Sequence, residues 1–178
     1  MLYKSLVFLS NVCCLLPEGL TRFIGKILGS LTWYAVPKKR KIMAVKNIKR
    51  CLKVDETRAQ QIARKSWTRF GPMIMEVLRF KIICRDIEKY VTIIGEENIK
   101  KAMEYNAGGV IATAHSGNWE IIGAALTHKG MKIAGVAQHQ RNEQVNNFIN
   151  YCRAFTGMHI TDKLDIKDMM KMLSQKYF

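Results

Sequence analysis

Apolar residues along this chain change their rhythm three times. Leu6 to Leu16 is an apolar run broken only by Ser10 and Asn11, and Pro17-Glu18-Gly19 ends it. As a helix those eleven residues rise about 16 Å, roughly half the hydrocarbon thickness of a bilayer. Lys4 ahead of the run fits a secretory signal, but no small-x-small cleavage site follows. From Leu20 the rhythm is helical. Leu20, Phe23, Ile24, Ile27, Leu28 and Leu31 share one face, and Thr21, Arg22, Lys26 and Ser30 lie elsewhere. Asp55 then caps a long helical pattern through Ala59, Ala63, Trp67, Phe70, Ile74 and Leu78. Gly71-Pro72 interrupts it, which predicts two helices or one kinked helix.

From residue 90 the pattern alternates. Tyr90–Ile94, Gly108–Thr113 and Met131–Ala137 have strand length. Glu96–Tyr105, Trp119–His128, Glu143–Phe155 and Asp165–Gln175 read as helices. The alternation predicts an α/β fold, with N-terminal membrane-associated helices followed by a βαβ-type, mostly parallel sheet flanked by helices. Three regions follow: a hydrophobic and amphipathic membrane anchor (1–36), a basic and helical segment (37–89), and an α/β region (90–178).

Charge sharpens the front half. The 178 residues carry 29 Lys and Arg against 14 Asp and Glu, a net charge of +15. Residues 1–89 hold +13 of it. Lys38-Lys39-Arg40-Lys41 follows the aromatic pair Trp33-Tyr34, a residue type that settles at membrane boundaries. An apolar helix, aromatics and a polybasic stretch point to an anionic membrane surface. Nucleic acid is the other reading of the charge, but no helix-turn-helix, RNA-binding aromatic signature or zinc knuckle supports it. Hydrophobic residues at 48% exclude wholesale disorder. Five cysteines without C-x-x-C or Cys/His spacing read as free thiols, with no metal site.

Candidate chemistry concentrates after one strand-like run. Val110-Ile111-Ala112-Thr113-Ala114 leads into His115-Ser116-Gly117-Asn118-Trp119-Glu120. A turn through Gly117 would bring Glu120 against the His115 ring, fixing its tautomer and leaving one nitrogen basic toward a hydroxyl. The helix that follows offers its N-terminal N–H groups to an oxyanion or phosphate. The bland reading makes Glu120 a dipole complement and Asn118 an N-cap. Ser116 lacks the Gly-x-Ser-x-Gly elbow of a serine hydrolase. His128, His139 and His159 read as loop or surface positions without a partner.

His-x-Gly-Asn-Trp-Glu after a Gly-Gly-Val-Ile run closely resembles the late acyltransferases of lipid A biosynthesis, the lauroyl and myristoyl transferases of the wider glycerolipid acyltransferase superfamily. The resemblance extends through the basic segment and Asn47-Ile48-x-x-Cys51-Leu52. It implies an enzyme on the cytoplasmic face of the inner membrane, peripheral or held by one N-terminal anchor. The acyl donor would be an acyl carrier protein thioester, with no other cofactor. The acceptor would be a hydroxyl of a lipid A precursor. It makes His115 the general base and Glu120 its orienting partner, with Gly117, Asn118, Arg141, Asn142 and Arg153 toward substrate. At Ala137-Gln138-His139-Gln140-Arg141-Asn142 the chain departs from the family's Tyr-Arg-Pro segment: Gln138 stands where an arginine is expected, and Arg141 would supply the charge. Family members are longer, so the resemblance also reads the chain as C-terminally truncated and its sheet as incomplete. A truncated, inactive lipid-binding protein is therefore the alternative function, ahead of a nucleic-acid binder.

Overall fold

The computed structural model describes residues 1–178. In chain order the helices begin with α1 (Leu2–Leu15), α2 (Glu18–Ala35), α3 (Lys38–Leu52), α4 (Glu56–Thr68) and α5 (Phe70–Leu78). Two short helices follow, α6 (Phe80–Arg85) and α7 (Ile87–Tyr90), then α8 (Glu96–Glu104) and α9 (Trp119–His128). The chain ends with β1 (Ala134–Ala137), α10 (Glu143–Ala154), β2 (His159–Asp162) and α11 (Ile166–Ser174). It divides into two compact units, Leu15–Glu76 and Met1–Cys14 with Val77–Phe178. No helix is long and apolar enough to cross a membrane.

In the unit Leu15–Glu76, prolines and caps set the helix boundaries. Pro17 and Pro37 precede α2 and α3, where a missing N–H costs nothing. Asp55 caps α4, its Oδ1 accepting from the Arg58 amide at 2.8 Å. The long pattern is two helices, but they part at Arg69, and Gly71-Pro72 lies in the first turn of α5 instead of interrupting the chain there. Ala59, Ala63 and Val45 form the core of α3 on α4, and Trp33 packs on it with Ile48 and Val54. Trp33, expected at a membrane boundary beside Tyr34, is thus drawn into this core, with Lys41 Nζ 4.9 Å above its ring.

The packing of α2 inverts the usual rule. Its buried residues are Thr21, Gly25 and Gly29, not its leucines and isoleucines. Gly25 has no room for a side chain: a Cβ there would lie 2.8 Å from the Pro72 backbone. A Cβ on Gly71 would collide with the Gly25 carbonyl and the Gly29 amide. Two backbones therefore meet where hydrogen atoms replace side chains, and the apolar stripe faces outward.

In the other unit, Ile83, Ile87, Ala124 and Ala125 form a core of α6 and α7 on α9, extended by Tyr90, Val91, Ile93 and Ile121. The first helix is tied in by polar bonds. The Ser10 hydroxyl donates to the Leu78 carbonyl at 2.6 Å, and the buried Arg79 guanidinium donates to the Cys13 carbonyl at 3.3 Å. The Met1 amine and Tyr3 amide both donate to Gln144 Oε1 (3.0 and 3.1 Å).

The sheet is smaller than the alternating pattern predicts. Only β1 and β2 are strands; they run parallel, with Ala134 opposite His159 and Ala137 opposite Asp162. His159–Asp162 carries no strand expectation, being four residues long with polar ends. Tyr90–Ile94 is not a strand, because α7 takes Tyr90 and the next residues pack as irregular chain on the α6–α9 core. Gly108–Thr113 is not one either. Its single outward backbone bond is Gly109 N–H to the Tyr177 carbonyl (3.1 Å), and extended backbone without a paired neighbour is not a strand. The final residues pair on the other side too: the Phe178 N–H donates to the Lys132 carbonyl, and the Phe178 carbonyl accepts from the Ala134 N–H, both at 2.8 Å.

Across β2 and α11, His159 Nε2 and Asp168 Oδ2 lie 2.7 Å apart. That bond holds the Asp168 carboxyl below the usual carboxylate range. A depressed carboxyl stabilises the fold above its unfolded value of about 4, and that stabilisation fades as pH falls through the folded value. Asp168→Asn should therefore lower the urea midpoint at pH 6, and the gap to the parent should narrow as pH falls below the unfolded value of about 4. Gly71→Ala should cost about 1–3 kcal/mol in the same measurement through overpacking. Gly19→Ala, whose Cβ meets nothing within 4 Å, should be neutral or stabilising by up to about 1 kcal/mol.

Candidate active site

His115 stands on a turn made possible by one residue. Gly117 has φ of +63°, a left-handed conformation that side chains resist, although a Cβ there would meet no atom. The requirement is conformational, not steric. The Ser116 amide donates to the Ala114 carbonyl at 2.8 Å, tightening the bend before it. Asn118 takes the N-cap position of α9 without a capping side-chain bond. The His115 ring is exposed and rests on the Trp119 ring, centroids 4.8 Å apart and planes tilted by 59°. The indole backs the imidazole.

Glu120 goes elsewhere. Its Oε2 accepts from Arg153 Nε at 2.9 Å and its Oε1 from Arg153 Nη2 at 2.6 Å. Both side chains are about one-sixth exposed (16% and 17%), so the pair is largely shielded from water. The expected bond from Glu120 to His115 is not formed. A planar guanidinium offers two parallel charge-assisted bonds, which a single bond to an imidazole does not match. Helix dipoles reinforce the choice: Glu120 lies in the first turn of α9 and Arg153 in the last turn of α10, each at the end that favours its charge. The ion pair therefore clamps the helix that starts at the His115 turn onto α10. Beside it Cys152 is buried, which pushes its thiol up to about 12, and burial pushes Cys84 up to about 11. Both remain protonated and unreactive at neutral pH.

The other residues expected at substrate separate. Asn142 is a helix cap: its Oδ1 accepts from the Gln144 and Val145 amides at 3.0 and 3.2 Å. Arg141 precedes it on an exposed bend after β1. Arg153, expected toward substrate, is committed to Glu120. The histidines read as unpartnered all have carboxylate neighbours. His128 lies 3.5 Å from Glu88, His139 lies 3.1 Å from Glu143, and His159 pairs with Asp168. Only His139 and Glu143, four apart on the sequence, carried a local signal for their pairing.

Replacing Arg153 with Met strands a shielded carboxylate. Arg153→Met should destabilise the fold by about 2–3 kcal/mol, and Arg141→Met should change it by no more than about 0.5 kcal/mol. Urea unfolding of the two variants side by side checks the contrast.

The sequence profile described as bacterial lipid A biosynthesis acyltransferase matches residues 4–178, nearly the whole chain. No curated protein gives a match. The His115–Glu120 block, the basic front half and the helices around the small parallel sheet all lie inside the matched span. The chain belongs to the bacterial lipid A biosynthesis acyltransferase family.

Proposed function

We propose that the chain moves a fatty acyl group from an acyl carrier protein thioester to a hydroxyl of a lipid A precursor, with His115 as general base. The observation that carries this reading is the exposed His115 imidazole on the Gly117 turn, ahead of a helix clamped by Glu120 and Arg153. A neutral imidazole accepts the hydroxyl proton on its unprotonated nitrogen as the oxygen attacks the thioester carbonyl. The tetrahedral adduct collapses with loss of the carrier thiolate, which receives that proton, leaving an ester on the acceptor. The negative charge that develops on the carbonyl oxygen is suited to the N-terminal end of α9, where first-turn N–H groups have no acceptor within the helix.

In this reading Glu120 and Arg153 act together as positioning residues. They hold α9 in place and do not charge the imidazole. Arg141, exposed after β1, is available to substrate phosphates, and the basic front half favours an acidic carrier protein. Asn142 contributes by fixing the start of α10.

The test supplies acyl carrier protein thioesters of several lengths and a tetra-acylated lipid A precursor to membranes carrying the chain, and reads the lipid mass. The parent chain should add one acyl group. His115→Ala should slow that transfer by about a hundredfold to ten-thousandfold. Equal transfer by the variant, or none by well-expressed parent chain, contradicts the proposal.

A further inference from the structure

Helix α11 turns part of its apolar set outward. Met172 is buried and Asp168, Met169 and Leu173 are half-buried, whereas Ile166 and Met170 on the opposite side are 68% and 61% exposed. Leu164, on the turn before the helix, is 80% exposed. Lys167 and Lys171 run along the helix beside Ile166 and Met170, and Lys163 adjoins Leu164. All three lysines are exposed, and none lies in an ion pair. The carboxylates among them are engaged locally. Asp162 and Asp165 accept from the Leu164 and Asp168 amides at 2.9 and 3.0 Å, and Asp168 pairs with His159.

Backbone bonds place this face at the His115 end of the sheet. The Lys163 amide donates to the Ala137 carbonyl at 2.9 Å, so the Lys163–Leu164 turn closes the carboxyl ends of the parallel strands β1 and β2. On the other side of β1, Phe178 bonds Lys132 and Ala134 as a parallel strand does, and beyond it the Gly109 amide reaches the Tyr177 carbonyl. Gly108 abuts Tyr177 and Gly109 abuts the Phe178 ring, so the run toward His115 advances in the same direction. The His115 turn, the Arg141 bend and the Lys163 turn therefore share one edge. Three strand spacings, about 14 Å, separate the run that carries His115 from β2.

An exposed apolar helix face flanked by cations is complementary to a partner that sets acids around an apolar patch. A uniformly anionic bilayer meets only half of that pattern, because the exposed Asp162 and Asp165 stand on the same turn and would repel it. A folded protein sets its acids opposite the lysines and leaves the two aspartates clear. We infer that Leu164, Ile166 and Met170, with Lys163, Lys167 and Lys171, dock an acidic surface of the acyl carrier protein and so present its thioester at the His115 edge. The identity of the partner rests on the acyl-transfer reading above. The basic front half draws an acidic protein from a distance, and α11 decides where it seats.

Fluorescence anisotropy of labelled, acyl-free acyl carrier protein titrated with the purified full chain reads docking without turnover. The parent should bind, and bind less tightly as salt rises. Lys163→Gln/Lys167→Gln/Lys171→Gln should raise Kd at least about tenfold at low salt, and Ile166→Ser/Met170→Ser about tenfold. Lys100→Gln/Lys101→Gln, exposed on α8, should change it by less than about twofold. These side chains are exposed, so circular dichroism should be unchanged; if the serine variant loses helicity, the lysine variant decides. In acyl transfer the lysine variant should raise KM for the carrier thioester by the same factor, with kcat within about twofold. Parent-like binding by both α11 variants overturns the docking surface, while loss of transfer in His115→Ala leaves the chemistry standing. A parent that binds the carrier but transfers nothing overturns the chemistry and supports the surface. Binding lost in Lys39→Gln/Lys46→Gln but kept in the α11 variants seats the carrier on the front half and overturns the proposal. So do α11 variants that keep the carrier but lose flotation with phosphatidylglycerol vesicles, since the face would then belong to lipid.

Discussion

One ion pair fixes the helix that follows the His115 turn. Glu120 begins α9 and Arg153 ends α10, and their two bonds at 2.6 and 2.9 Å join helices that are far apart in sequence. The His115 turn runs directly into α9, so the direction in which the imidazole points depends on where that helix is held. A monodentate partner would leave the helix able to rotate about the contact; the guanidinium fork fixes both distance and orientation. Shielding from water strengthens the pair and makes the loss of either member costly. The imidazole itself is left exposed on its indole support. In the proposed transfer, a base that meets a hydroxyl from outside benefits from that arrangement.

A second constraint governs the unit Leu15–Glu76. Where Gly25, Gly29 and Gly71 allow backbones to touch, helices pack without spending apolar side chains. Leu20, Ile27, Leu28 and Leu31 of α2 are then left exposed. The sequence places them on one face, and the small residues decide which way that face looks. The same trade explains why Trp33 is in the α3–α4 core and Tyr34 is 70% exposed, with Arg64 5.8 Å from its ring centroid.

Much of this is legible in the sequence, for physical reasons. Helices α2, α4, α9 and α10 were readable because their apolar periods, Asp55 cap and proline boundaries are local signals. Gly117 was readable as a turn because glycine alone adopts positive φ without strain. The strands were harder. Gly108–Thr113 has strand composition, but a strand exists only with paired neighbours, and that information is not local. His159–Asp162 had the neighbours without the composition. At the candidate site the sequence singles out His115, Glu120 and Arg153, but its spacing does not reveal that Glu120 pairs with Arg153. The eye pairs Glu120 with the nearest histidine in sequence. The fold instead delivers an arginine thirty-three residues away, which binds a carboxylate better. The pairing of His159 with Asp168 was hidden for the same reason.

The claim that His115 works from a turn held by a single Glu120–Arg153 unit is tested most directly by a double-mutant cycle on the transfer rate. Glu120→Gln, Arg153→Met and the double variant would be compared in single-turnover acyl transfer. If the pair acts as one clamp, either substitution releases it, and the double variant should be no slower than the slower single. If the two losses multiply instead, the residues serve transfer separately, and the clamp is not what places His115.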